Sequence, residues 1–224
     1  MVLFFYFNES RPFWAGFSLL LCAIKPHLFL PFAIVLLAWI LYRRAFPLLA
    51  GFVAALAASC ALSYVFDPHA WSEYSSLVHQ NPEIVTDFIP TLSVMFRFAV
   101  DRNAIWLQYL PAAAACVWGL WYFWARRAAW NWLRHGALLL LVSVLCSPHG
   151  WITDEVIVLP AILGGLYAAK GSRLLQIVLL LMSGVVLLEF ANGAKPVSPY
   201  YLWTAPAWFV WYLFAMHRRH APAQ

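Results

Sequence analysis

Apolar runs alternate with short polar breaks along the whole chain. Phe13–Ile24 and Leu28–Tyr42 are two short apolar segments parted by Lys25-Pro26-His27. Phe46–Phe66 runs without interruption. Asp67 to Asn103 is a long polar stretch, and Ile105–Ala125 is apolar again. Gly136–Cys146 and Glu155–Ala169 are short and are parted by Ser147-Pro148-His149-Gly150-Trp151-Ile152-Thr153-Asp154. Leu174–Phe190 and Tyr201–Met216 follow. A helix that spans a membrane needs about 20 apolar residues, and fewer where broken helices are buried in protein. The pattern predicts an all-α polytopic membrane bundle of about eight crossings, broken helices included. Read as one helix, Phe13–Tyr42 would run ~45 Å at ~1.5 Å per residue, well beyond the ~30 Å hydrocarbon core. Pro26 and Pro31 also favour a break there.

The stretch 67–104 is too long for a simple turn. Trp71-Ser72-Glu73-Tyr74 and Phe88–Phe98 are apolar at helical spacing, with Asp, Pro and Asn as punctuation. They predict short amphipathic helices on the outer interface, either roofing a cavity or packing as a lid with no ligand contact.

Composition closes off other classes. The chain is 64% hydrophobic and 10% charged, against about 25% charged in soluble domains. Residues 1–224 therefore form a single transmembrane domain with no room for a separate soluble one. Some of the 13 Trp belong to interfacial belts. The net charge of +5 sits in short loops, where it orients helices; no nucleic-acid partner is implied. Cys22, Cys60, Cys116 and Cys146 fall inside apolar segments and read as small buried hydrophobes. No metal-ligand spacing occurs. Met1–Phe7 is apolar but lacks the basic start and cleavage site of a signal peptide.

Charge sets the orientation. Arg11, Arg43-Arg44, Arg126-Arg127, Arg134, Lys170/Arg173 and Arg218-Arg219 all fall on one side, cytoplasmic by the positive-inside rule. That is ten of the 14 Lys/Arg, and it leaves the C-terminus inside. Acidic residues take no part in that assignment. Asp67, Glu73, Glu83, Asp87, Asp101, Asp154, Glu155 and Glu189 nevertheless all fall outside, and only Glu9 inside. The polar chemistry is therefore expected on the outer face.

Three constellations lie there. In Lys25-Pro26-His27 the proline frees backbone groups. A cation at that depth costs about 3 kcal/mol unless partnered, and a lipid phosphate is a fitting partner; snorkelling of Lys25 to the headgroups is the bland alternative. Ser147-Pro148-His149-Gly150-Trp151 with Asp154-Glu155 puts two helix breakers, a His, an aromatic ring and two carboxylates into one short stretch. Broken helices at membrane depth commonly line cavities. There His149 is a candidate for phosphate or sugar hydroxyls, and Asp154, ahead of Glu155, for a sugar hydrogen bond or a proton. An ordinary polar turn is the alternative. Asn192–Tyr201 repeats the Lys-Pro pattern at Lys195-Pro196 more weakly. Asp67-Pro68-His69 reads as a helix stop.

Taken in order, these motifs resemble a known family. Ala15-Gly16 opens an apolar helix, Lys25-Pro26-His27 follows it, and a basic turn and an apolar span lead to Asp67-Pro68-His69-Ala70-Trp71. After the long outer loop comes Ser147-Pro148-His149-Gly150-Trp151-Ile152-Thr153-Asp154-Glu155. Over roughly Trp14 to Tyr167 this resembles the C-terminal half of the GT-C glycosyltransferases of family 87. The resemblance implies an integral-membrane transferase with a polyprenyl-phosphate sugar donor, typically mannose. It implies a glycolipid or glycan acceptor on the outer face of the cytoplasmic membrane, and neither nucleotide nor metal cofactor. Lys25 and His27 match the family's Lys-Pro-Gln/His motif; Ser147, Pro148 and Asp154 match its Ser-Pro…Asp motif. Some members carry His where this chain has Thr153 and Asp154, so a role of that His does not transfer. The family's presumed catalytic Asp lies in a first outer loop with no counterpart here. The catalytic residue is thus unassigned, and three readings stay open: a fragment, a split-gene product whose partner is the missing N-terminal half, or an inactive remnant. A non-catalytic membrane subunit and a lipid or solute transporter module are the alternatives; no inverted repeat supports the second.

Overall fold

The computed structural model describes residues 1–80 and 91–219. Glu83, Asp87 and the start of the Phe88–Phe98 segment lie outside the described residues. Every described element is helical, and the protein is a helical membrane protein. Two compact units divide the chain. One takes Met1–Pro26 with Leu37–Phe88, the other His27–Leu36 with Ile89–Gln224.

The first unit holds α1 (Val2–Phe7), α2 (Pro12–Phe17), a 3-10 turn over Ser18–Ala23, the end of α3 (Leu30–Arg43), α4 (Phe46–Phe66) and α5 (Ala70–Gln80). Pro12 and Pro47 stand in the first turns of α2 and α4, where a missing N–H costs nothing and φ is already helical. α2 and α4 cross backbone to backbone. A methyl group on Gly16 would strike the Leu48 carbonyl, and one on Gly51 the Phe13 carbonyl. This close approach of small residues is how helices associate where lipid removes the hydrophobic drive. Outside the crossing α4 is mostly exposed and apolar, with Val53, Leu62, Val65 and Phe66 open, as a lipid-facing helix requires. α4 stops at Asp67, whose Oδ1 accepts from the His69 amide at 2.8 Å; the stop expected at Asp-Pro-His is there.

The second unit holds α6 (Leu92–Val100), α7 (Leu110–Arg126), α8 (Trp132–Leu145), α9 (Leu159–Ala168), α10 (Arg173–Ala191), α11 (Thr204–Arg219) and the start of α3. Its core joins α8, α9 and α11 around Leu141, Val158, Ala161, Trp211 and Ala215. Gly165 lets Trp211 lie against α9, and Trp211 Nε1 donates to the Leu175 carbonyl at 2.8 Å. The first amides of a helix have no partner within it. One of these in α3, Phe32 N–H, donates instead to Ser143 Oγ of α8 at 3.1 Å. The basic turn between α7 and α8 is clamped by aromatic rings. Tyr122 Oη lies 2.7 Å from His135 Nδ1, Trp130 stacks on His135 at 4.7 Å, and Arg126 sits over Tyr122.

The crossings differ in form. Among the described residues three helices are long and apolar enough to span alone: Pro26–Arg43, Phe46–Phe66 and Arg173–Ala191. The other expected crossings are shorter or composite. Phe13–Ile24 is a six-residue α-helix running into a 3-10 turn, and the path bends at Ile24-Lys25 before it resumes. Ile105–Ala125 opens with a 3-10 turn over Ile105–Tyr109. Glu155–Ala169 is the end of a 3-10 turn over Ile152–Val158 followed by the ten-residue α9, the latter about 15 Å long. Pro26, Pro111 and Pro160 stand at the starts of the elements that follow three of these breaks, where proline disfavours α geometry in the residue before it. The four cysteines are half-buried rather than enclosed.

The 67–104 stretch holds two helices among its described residues. α5 exposes Trp71, Tyr74 and Leu77 three residues apart, on one face. α6 differs from the interfacial helix expected. Its polar residues Ser93 and Arg97 are buried while Leu92, Met95, Phe96 and Val100 are exposed. That inversion suits a helix whose outer face meets lipid.

The α2–α4 crossing yields the first prediction. Gly16→Ala and Gly51→Ala each place a methyl group on backbone that has no rotamer to give. Each should lower thermal stability in detergent by at least the ~1–3 kcal/mol usual for overpacking, while Gly184→Ala, which meets nothing within 4 Å, should leave the melting curve unchanged.

Candidate functional site

The site is built where α8 ends. Pro148 cannot continue a helix, so the chain leaves α8 at Cys146 and turns through Ser147–Trp151. Each backbone group released there needs a new partner. Ser147, 1% exposed, donates from Oγ to the His149 carbonyl at 2.6 Å and accepts from the His149 amide at 3.4 Å. Ser93 of α6 donates to the Cys146 carbonyl at 3.1 Å. Asp154 Oδ2 accepts from the Trp151 amide at 3.0 Å, which starts a 3-10 turn over Ile152–Val158. The Ile152 amide donates to the Pro196 carbonyl at 3.4 Å, tying this turn to the Asn192–Tyr201 loop. Gly150 is buried, and a Cβ there would meet Leu28 Cδ2 at 3.2 Å.

Two of the expected side chains meet across the unit. The rings of His27 and His149 pack edge to face at 5.5 Å between centroids. A pocket of about 400 Å³, part of it open to solvent, lies beside the turn. Asp154 and Glu155 line it, with Trp151, Thr91, Tyr201 and Pro206 among the walls. Trp151 is 42% exposed and offers a flat apolar face beside two carboxyls, a combination suited to a sugar. His27 and His149 are not among the described lining residues.

Lys25 and Pro26 end the stretch of the first unit that precedes His27. Lys25 is half-buried at the bend between the 3-10 turns Ser18–Ala23 and Pro26–Phe29. Lys195 is exposed in the loop before α11, where its carbonyl accepts from the Ser198 amide at 2.8 Å.

Glu155 holds a more integrated place than the sequence suggests. Its Oε1 lies 2.5 Å from Thr204 Oγ1, and its Oε2 accepts from Trp208 Nε1 at 2.8 Å. Thr204 is fully buried. Asp154 fastens its own turn and faces the pocket, whereas Glu155 joins that turn to α11. Arg97 is also missed by sequence reasoning. It is 1% exposed, one helical turn from Ser93 on the buried face of α6, with its guanidinium 5.0 Å from the Phe98 ring. The spacing of Thr204 and Trp208, and of Ser93 and Arg97, is the i, i+4 signal that marks each pair as one face.

The family model of glycosyltransferase family 87 matches residues 1–148. The chain belongs to glycosyltransferase family 87. The match takes in the Lys25-Pro26-His27 motif and ends on Ser147-Pro148, so His149, Asp154, Glu155 and Lys195 lie beyond it. No curated protein and no solved structure matches this chain. Family membership makes it a membrane glycosyltransferase.

Ser147→Ala tests the turn. It removes both side-chain bonds to His149 and leaves a buried carbonyl short of its donor, a loss of about 1–3 kcal/mol. For a protein of this size that lowers Tm by roughly 2–4 °C per kcal/mol, measurable by differential scanning fluorimetry in detergent.

Proposed function

We propose that this protein transfers a hexose, mannose in the first instance, from a polyprenyl-phosphate donor to a lipid or glycan acceptor at the outer face of a bacterial cytoplasmic membrane. The observation that carries the reading is a pocket at a helix break, lined by Asp154, Glu155 and Trp151, in a chain of glycosyltransferase family 87. The sorting of acidic residues away from the arginine pairs supports the outer face.

The reaction is an inverting displacement at the anomeric carbon. The acceptor oxygen forms the new bond, the bond to the lipid phosphate breaks, and the acceptor proton passes to a carboxylate base. That base is assigned to no residue of this chain. Asp154 accepts hydrogen bonds from sugar hydroxyls. Charge accumulates on the departing phosphate, and stabilisation aimed at developing charge is commonly the largest catalytic contribution. Lys25 is the candidate for that cation, with His27 and His149 assisting and Lys195 a further candidate.

A transfer assay with radiolabelled polyprenyl-phosphate mannose in membranes carrying the protein tests this. Lys25→Ala should lower kcat by about 10²–10³, the usual loss on removing one donor to developing charge. Asp154→Asn should act mainly on KM. Unchanged transfer in Lys25→Ala would remove the phosphate role.

A further inference from the structure

The hydrogens around Glu155 can be counted. Thr204 Oγ1 stands 2.5 Å from Glu155 Oε1 and 2.7 Å from the Tyr201 carbonyl oxygen. A hydroxyl carries one hydrogen, and a carbonyl oxygen can only accept. The Tyr201 contact therefore takes the hydrogen of Thr204. The shorter contact, between two oxygens, then requires a hydrogen from Glu155. The other oxygen, Oε2, accepts from Trp208 Nε1 at 2.8 Å, as the carbonyl oxygen of an un-ionised acid does. The Ala205 amide also approaches this carboxyl, and extra donors favour an anion. They do not give Thr204 a second hydrogen.

We propose that Glu155 carries a proton in the resting protein and acts as a positioning residue. Its hydrogen runs to Thr204, and that of Thr204 to the Tyr201 carbonyl. This relay clamps the Ile152–Val158 turn, and Asp154 with it, to the start of α11. The Glu155 carboxyl then adds no negative charge to the pocket, which suits an anionic lipid donor; only this last clause rests on the transferase reading.

Infrared difference spectroscopy of wild type against Glu155→Gln reads the proton directly. A protonated-carboxyl C=O band present in wild type, lost in Glu155→Gln and shifted in Thr204→Val is expected. A difference spectrum with carboxylate bands alone overturns the proposal. Thermal melts give the second arm. Gln donates from Nε2 and accepts at Oε1, so Glu155→Gln should keep Tm within about 2 °C, whereas Glu155→Leu, which can do neither, should lower it by roughly 4–8 °C. Equal losses in both variants contradict a neutral Glu155. Neither arm uses transfer activity, so a band without transfer counts against the proposed function alone.

Discussion

A backbone freed from its helix inside an apolar bundle must find its hydrogen bonds locally, because neither lipid nor core side chains can supply them. Each orphan costs about 1–3 kcal/mol. At the end of α8 the polar side chains Ser147, Asp154 and Ser93 meet that demand, and the Pro196 carbonyl takes the Ile152 amide. The start of α3 draws on Ser143 in the same way. Polar residues thus gather where helices break, and the breaks sit where prolines interrupt the apolar runs.

This rule also shapes the functional face. The same interruption that demands Asp154 as a partner for its own turn brings its carboxyl to a pocket beside Trp151. Two adjacent carboxyls, alike in sequence, take different work. Asp154 stays local and faces the pocket, while Glu155 reaches α11. In this chain the broken helix therefore does two things at once: it opens a pocket and fixes the side chains that line it.

Much of the frame was legible from hydrophobic pattern alone. Phe46–Phe66 is a helix with the expected ends, the path bends at Lys25, and Ser147-Pro148 breaks α8, because proline and a long apolar run act locally. The lengths of the composite crossings were not legible, since a 3-10 turn and an α-helix have the same composition. Nor was the burial of Ser93 and Arg97. Their spacing shows one polar face on α6, but in a membrane either face of a helix can point inward. The edge-to-face pairing of His27 with His149 and the contact of Glu155 with Thr204 and Trp208 join residues far apart in the chain. Packing decides them, and no local signal shows that Glu155 reaches Thr204 and Trp208.

The central claim is that the turn bearing Asp154 opens on the side of the membrane away from the arginine pairs. Labelling single-cysteine variants with a membrane-impermeant maleimide in sealed, oriented vesicles, on a cysteine-free background, tests it most directly. Cysteine at exposed Thr153 should react from the outer side, as should cysteine at Lys195, while cysteine at Arg127 should react only after the vesicles are opened. Thr153 and Arg127 labelled from the same side would contradict the account.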